Sequence, residues 1–186
     1  MKKAFALWAA CSVAFAVSGL AAPTAPSGTE GTAAPYPAPT LEFANLDGHL
    51  IHAKDLAGKV VLLDFWATWC APCRAALPEL EAMVKRYDPE KFTMISVSAD
   101  FTQPTLRLFL EQHPSPATQV WDGDGHLRKL YGVRGFPTYL VIDGEGQVVH
   151  QQLDWGPTSA ATLSKAIEAQ LLKAGSDGPD VSVARQ

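Results

Sequence analysis

Val60-Val61-Leu62-Leu63-Asp64-Phe65-Trp66-Ala67-Thr68-Trp69-Cys70-Ala71-Pro72-Cys73 is the stretch on which the reading of this chain turns. Its first seven residues are bulky and apolar apart from one aspartate, the pattern of a strand buried on both faces. After Cys73 the apolar residues Leu77, Leu80, Met83, Val84 and Tyr87 recur at helical spacing, with Pro78 predicting a kink. A strand-to-helix junction therefore carries Cys-x-x-Cys at a helix start. Unpaired N–H groups and the positive end of the helix dipole there favour thiolate over thiol at Cys70. Pro72 suits the first turn, where an N–H would have no partner. The pair reads as a dithiol redox centre, with Cys70 the exposed nucleophile and Cys73, one turn inward, the thiol that resolves a mixed disulfide.

Working outward, Phe92 to Ala99 predicts a second buried strand, and Leu106, Leu108, Phe109 and Leu110 mark a helix that stops before His113-Pro114. Together they make a parallel βαβ unit. A short helix at Leu127 to Tyr131 follows, then a hairpin of Thr138 to Ile142 and Gln147 to Gln151. A last helix starts at Thr158 or Ser159 and carries Leu163, Ile167, Leu171 and Leu172. Before the main strand, Leu41 to Ile51 reads as a hairpin about Asp47-Gly48. The domain is thus expected over residues 41–173, with 174–186 a disordered tail. Residues 23–40, with five prolines, are expected to be a linker.

Lys2 and Lys3 precede an apolar run from Ala4 to Val17 that ends in small residues, so 1–22 reads as a signal peptide cut after Ala21 or Ala22, or retained as a membrane anchor. Both outcomes place the domain outside the cytoplasm. Loss of that segment leaves 13 basic against 19 acidic residues, net −6, which argues against nucleic acid as a partner. Cys11 lies within the apolar run, and Trp8-Ala9-Ala10-Cys11 is a poor site for lipid attachment. Only Cys70 and Cys73 remain, too few for a disulfide scaffold and right for one redox pair. A zinc site would need two more ligands at metal spacing, whereas His113, His126 and His150 are isolated and read as surface residues. Asp122-Gly123-Asp124-Gly125 is out of register for a calcium loop and reads as a turn. No metal and no cofactor beyond the dithiol is expected.

Asp64 interrupts a strand that is apolar on both sides, so its carboxyl is expected to be costly to ionise, with a raised pKa, and able to take the proton of Cys73. The alternative is a solvent-facing aspartate on an edge strand. Trp66 and Trp69 are read as lying on one face of the strand end, Trp66 packed in the core and Trp69 forming an apolar rim for protein substrates. Pro137 in Gly135-Phe136-Pro137-Thr138 enters the last hairpin in either isomer as far as its own sequence goes.

Asp64 to Cys73 together with Gly132 to Thr138 resembles the thioredoxins, and more closely their TlpA/ResA-like branch of secreted or membrane-tethered proteins. The resemblance implies a thioredoxin-like α/β fold: a central mixed sheet with flanking helices, an N-terminal hairpin and an inserted helical segment. It implies a cis Pro137 beside the cysteines, with Phe136 offering its backbone to an extended substrate. Ala76 stands where many of the branch have glutamate, Asp64 is the choice of cytoplasmic thioredoxins, and Ser96 stands where those keep a lysine.

The leading expectation is an extracytoplasmic thiol-disulfide oxidoreductase, a monomer acting on protein cysteines. Ala71-Pro72 supplies neither histidine nor cation to overstabilise the thiolate, which favours a reductase. The resemblance implies a membrane electron donor and clients such as apocytochrome c. Two rivals are a redoxin-type peroxidase, for which Thr68 is one residue too close to Cys70, and a copper(I) metallochaperone, for which only Met83 and Met94 remain as soft ligands.

Overall fold

The computed structural model describes residues 34–39 and 42–176. The expected leader at 1–22 lies outside them, as does the tail beyond 176. Six strands form one mixed sheet in the order β1-β8-β7-β4-β5-β6: β1 (Tyr36–Pro37), β4 (Val60–Trp66), β5 (Phe92–Ser98), β6 (Thr118–Trp121), β7 (Thr138–Ile142) and β8 (Gln147–Leu153). β4, β5 and β6 run parallel, while β7 is antiparallel to both β4 and β8. A separate hairpin pairs β2 (Phe43–Ala44) with β3 (Leu50–Ile51), its turn held by the Asn45 carboxamide oxygen, which accepts from the N–H groups of Asp47 and His49. The helices are α1 (Ala53–Leu56), α2 (Ala71–Arg86), α3 (Gln103–Gln112), α4 (His126–Leu130) and α5 (Ser159–Ser176).

β4 occupies the middle of the sheet and every residue in it is buried, which excludes the edge-strand reading of Asp64. Its period of two feeds two cores. Val61, Leu63 and Phe65 face Leu56, Leu127 and Tyr131, whereas Val60 and Leu62 face Ala76, Leu80 and Met83 of α2 and Leu163 and Ile167 of α5. Pro78 lies inside α2 without ending it.

Several expectations change. Tyr36 and Pro37, within the proline-rich stretch, pair with Val148 and Gln147, so the folded unit starts before residue 41. Proline is tolerated there because an edge strand needs no donor on its open side. β6 was not legible at all: Thr-Gln-Val-Trp is only four residues with two polar ones leading, and its outer edge is covered by the Leu46 N–H, which donates to the Gln119 carbonyl at 2.7 Å. α5 runs past residue 173, and Leu172 is 76% exposed although Leu163, four residues before Ile167, is fully buried with it. His150 is buried on β8, not at the surface, while His113 and His126 are exposed as expected. Asp122-Gly123-Asp124-Gly125 is a turn, with the Asp122 carboxylate accepting from the N–H groups of Leu127 and Arg128 at the start of α4.

Leu163→Ala should therefore lower stability by about 2–5 kcal/mol, while Leu172→Ala should change it by less than about 0.5 kcal/mol. Urea unfolding of the two variants checks the contrast.

Candidate active site

The site grows from the end of β4. Ala67, Thr68 and Trp69 lead to Cys70, which is the N-cap of α2, and Pro72 falls in the helix's first turn. The Cys70 sulfur accepts from the Cys73 N–H at 3.3 Å and is bonded to the Cys73 sulfur, with the two Cα atoms 5.3 Å apart. Cys70 is less open than its place on a helix tip predicts, at 6% exposure, because Leu46, Trp66, Ala67 and Leu106 close around the pair.

The tryptophans part company, since residues three apart at a strand end point to different sides. Trp66 is buried against Phe109, with ring centroids 5.5 Å apart. Trp69 is 54% exposed, stacked on Phe101 at 6.3 Å and edge-on to Phe136 at 5.8 Å. The Phe136-Pro137 peptide bond is cis. Pro137 is buried and Phe136 half-buried against the cluster that holds both cysteines. Phe136 makes no backbone–backbone hydrogen bond among the described residues, whereas the Pro137 carbonyl accepts from the Asp154 N–H at 3.0 Å.

Asp64 is 1% exposed and lies on β4 between Leu62, which packs with Ala76 and Leu80, and Trp66, which packs with the cysteines. Burial pushes its pKa up to about 7, partly opposed by the Ser96 hydroxyl, which donates to Oδ2 at 3.4 Å. Ser96 is the direct β5 partner of Asp64, so the group beside the carboxyl on that strand is a neutral donor. Tyr139, the β7 partner, has its pKa raised further by burial and by the nearby Asp64 and Asp154, and stays protonated.

Two residues escaped sequence reading. Asp100 is buried, and its carboxylate accepts from the Thr68 N–H at 3.2 and 3.3 Å, the Thr68 hydroxyl at 2.6 Å and the Ser98 hydroxyl at 2.7 Å. It ties the loop after β4 to the loop after β5. Parallel strands bring their carboxyl ends together, so an aspartate just past the second strand was the available signal. Phe101, 85% exposed, carried no periodic signal because it belongs to no element.

The fold and this dithiol define a thioredoxin-like redox protein. Residues 35–151 match the model of the AhpC/TSA family. Over 114 residues the chain is 33% identical to a thiol-disulfide oxidoreductase ResA of Bacillus thuringiensis subsp. konkukian, covering 61% of this chain and 66% of that protein. It is 32% identical to the thioredoxin-like protein YneN of Bacillus subtilis, over 60% of this chain and 66% of that one. A solved structure of a putative thiol:disulfide interchange protein DsbE from Chlorobium tepidum superposes with a TM-score of 0.70 at 33% identity, over 76% of this chain and 99% of that one. The chain belongs to the AhpC/TSA family, and within it to the thioredoxin-like thiol-disulfide oxidoreductases of the TlpA/ResA kind.

Asp64 has a folded pKa of about 7 against an ordinary 3.8. Between those values the folded protein holds a proton that the unfolded chain has released, so stability falls as pH rises through the window. Asp64→Asn should remove that slope and, near pH 8, be more stable than the parent by roughly 2–4 kcal/mol. Urea titrations on both sides of the window measure it.

Proposed function

We propose that this chain is an exported reductase of protein disulfides. The observation that carries the reading is a dithiol at the N-cap of α2, set between an exposed aromatic rim and a cis-proline loop whose Phe136 makes no backbone–backbone hydrogen bond among the described residues. In the reduced form the Cys70 thiolate attacks a client disulfide, and one client sulfur leaves as thiolate. Cys73 then gives its proton to Asp64 and attacks the Cys70 sulfur, releasing the second client thiolate and closing Cys70–Cys73. Two electrons pass to the client, and a membrane-bound donor dithiol restores the pair. Trp69, Phe101 and Phe136 bind apolar side chains beside the client cysteine, and Phe136 pairs with the client's extended backbone. Clients are exported proteins with vicinal cysteines, apocytochrome c among them. The basic and apolar leader supports export, and among the described residues no helix is long and apolar enough to cross a membrane.

The rivals find less support. The Thr68 hydroxyl donates to Asp100 and so is not presented to the Cys70 sulfur as a peroxide site would use it. Met83 and Met94 are buried among Leu62, Leu80 and Phe92, in a cluster separate from the cysteines, and are not placed as copper ligands.

Cys73→Ser should trap client proteins on Cys70, and recovery of no adduct from the exported fraction rejects the reading. The Cys70–Cys73 reduction potential should fall near about −270 mV, whereas a value near about −120 mV marks an oxidase. Phe101→Ser should raise KM for a protein disulfide several-fold and leave the rate with a small disulfide unchanged; equal effects on both remove Phe101 from the client surface.

A further inference from the structure

Five polar side chains stand in one register row across the sheet: Gln152, Tyr139, Asp64, Ser96 and Gln119. Paired residues on neighbouring strands point to the same face, so the row lies on the side covered by α2 and α5. Four of the five are buried, and only Gln119, on edge strand β6, is half-exposed. Asp64 Oδ1, Tyr139 Oη, both side-chain ends of Gln152, Gln119 Oε1 and the neighbouring Trp66 Nε1 have no hydrogen-bond partner in the protein. Leaving a buried polar atom unpaired is costly, so a cluster of them marks a place for ordered water.

The half of the row toward β6 has room for it. A cavity of about 10 Å³ is bordered by Trp66, Ser96 and Gln119 and also by half-exposed Glu81 and Ser115 and exposed His113. That volume suits about one water molecule. Its partners are at hand: Trp66 Nε1 donates, Gln119 Oε1 accepts, and the Ser96 hydroxyl, which already donates to Asp64, accepts. A client seated over the disulfide covers the Cys70 end, so a proton on Asp64 needs another way out.

We propose that a water held by Trp66, Gln119 and Ser96 is the proton exit of Asp64, opening beside Glu81 and His113, two turns along α2 from Cys73. This rests on the oxidoreductase reading above. When Cys73 attacks, its proton passes to Asp64. The Asp64 proton then passes to the Ser96 oxygen as the hydroxyl's own proton moves to the water and one leaves the water for bulk solvent; regeneration of the dithiol runs the same chain backwards. No electron moves in this exchange. The titratable groups about the row are Cys73 and Glu81 from α2, His113 after α3 and His150 from β8, with Tyr139 in the row itself and Asp154 near Tyr139; α5 offers Leu163 and Ile167. Ser96 and Gln119 are positioning residues that act through Asp64.

The test joins nuclear magnetic resonance to kinetics on the full chain. In the wild type the Trp66 indole N–H should show a cross-peak to a long-lived water. Ser96→Val and Gln119→Leu should each lose that peak and release client from the Cys70 mixed disulfide about tenfold more slowly, with KM for client unchanged. Ser96→Thr, which keeps the hydroxyl, should restore the rate. No water at Trp66 in the wild type overturns the proposal, and so does loss of the water with release at the wild-type rate. A wild type that forms no mixed disulfide with any client overturns the oxidoreductase reading itself, and the route with it, whatever the Trp66 peak shows.

Discussion

The pairing of β4 on both of its edges governs the rest of the molecule. Seven residues register with β5 on one side and five with β7 on the other, so the strand has no open edge and its backbone is satisfied from end to end. Because β5 runs parallel to it, the loops that leave both strands emerge together, and Asp100 can grip Thr68 just before the cysteines. Because β7 runs antiparallel, its first residue lies beside Phe65, which brings the cis-proline loop to the same end. The redox pair is placed by hydrogen-bond registry, and the side chains around it refine that placement.

The same centrality sets the electrostatics. A carboxyl in the middle strand, with α2 and α5 over its face, has one hydroxyl for company and no cation. Burial alone therefore moves its proton into the physiological range. A lysine in place of Ser96 would have held the aspartate ionised more firmly; the neutral hydroxyl leaves it able to gain and lose a proton near neutrality. The fold lessens the cost of burying a charge by leaving that charge unmade below a pH of about 7.

Much of this was legible in the sequence, and for reasons that can be named. Val60 to Trp66 is apolar at both parities, which only a doubly buried strand requires, and Asp64 stood out against it. The Cys pair at the next helix start and Leu80 and Met83 on one stripe followed the same periodic logic, and the last hairpin was marked by its Asp143-Gly144-Glu145-Gly146 turn. What failed was non-periodic or set by distant partners. β6 is a four-residue edge, too short for a periodic signal, that becomes a strand because β5 and Leu46 supply its hydrogen bonds. His150 is buried by its pairing with Val141, and Tyr36 is drawn from a proline-rich stretch onto the edge of β8. The Asp100 clamp depends on two loops 32 residues apart meeting in space, which no window of sequence contains.

The aromatic rim has a colloidal side. Trp69 and Phe101 leave a sticky tip on a body whose formal charge is −4 over the whole chain. Repulsion between two like-charged copies reaches about 8 Å at physiological ionic strength, whereas ring contact acts only at touching distance. A neutral or basic chain meets no such repulsion, so the charge of whatever approaches is felt before the rings can touch it.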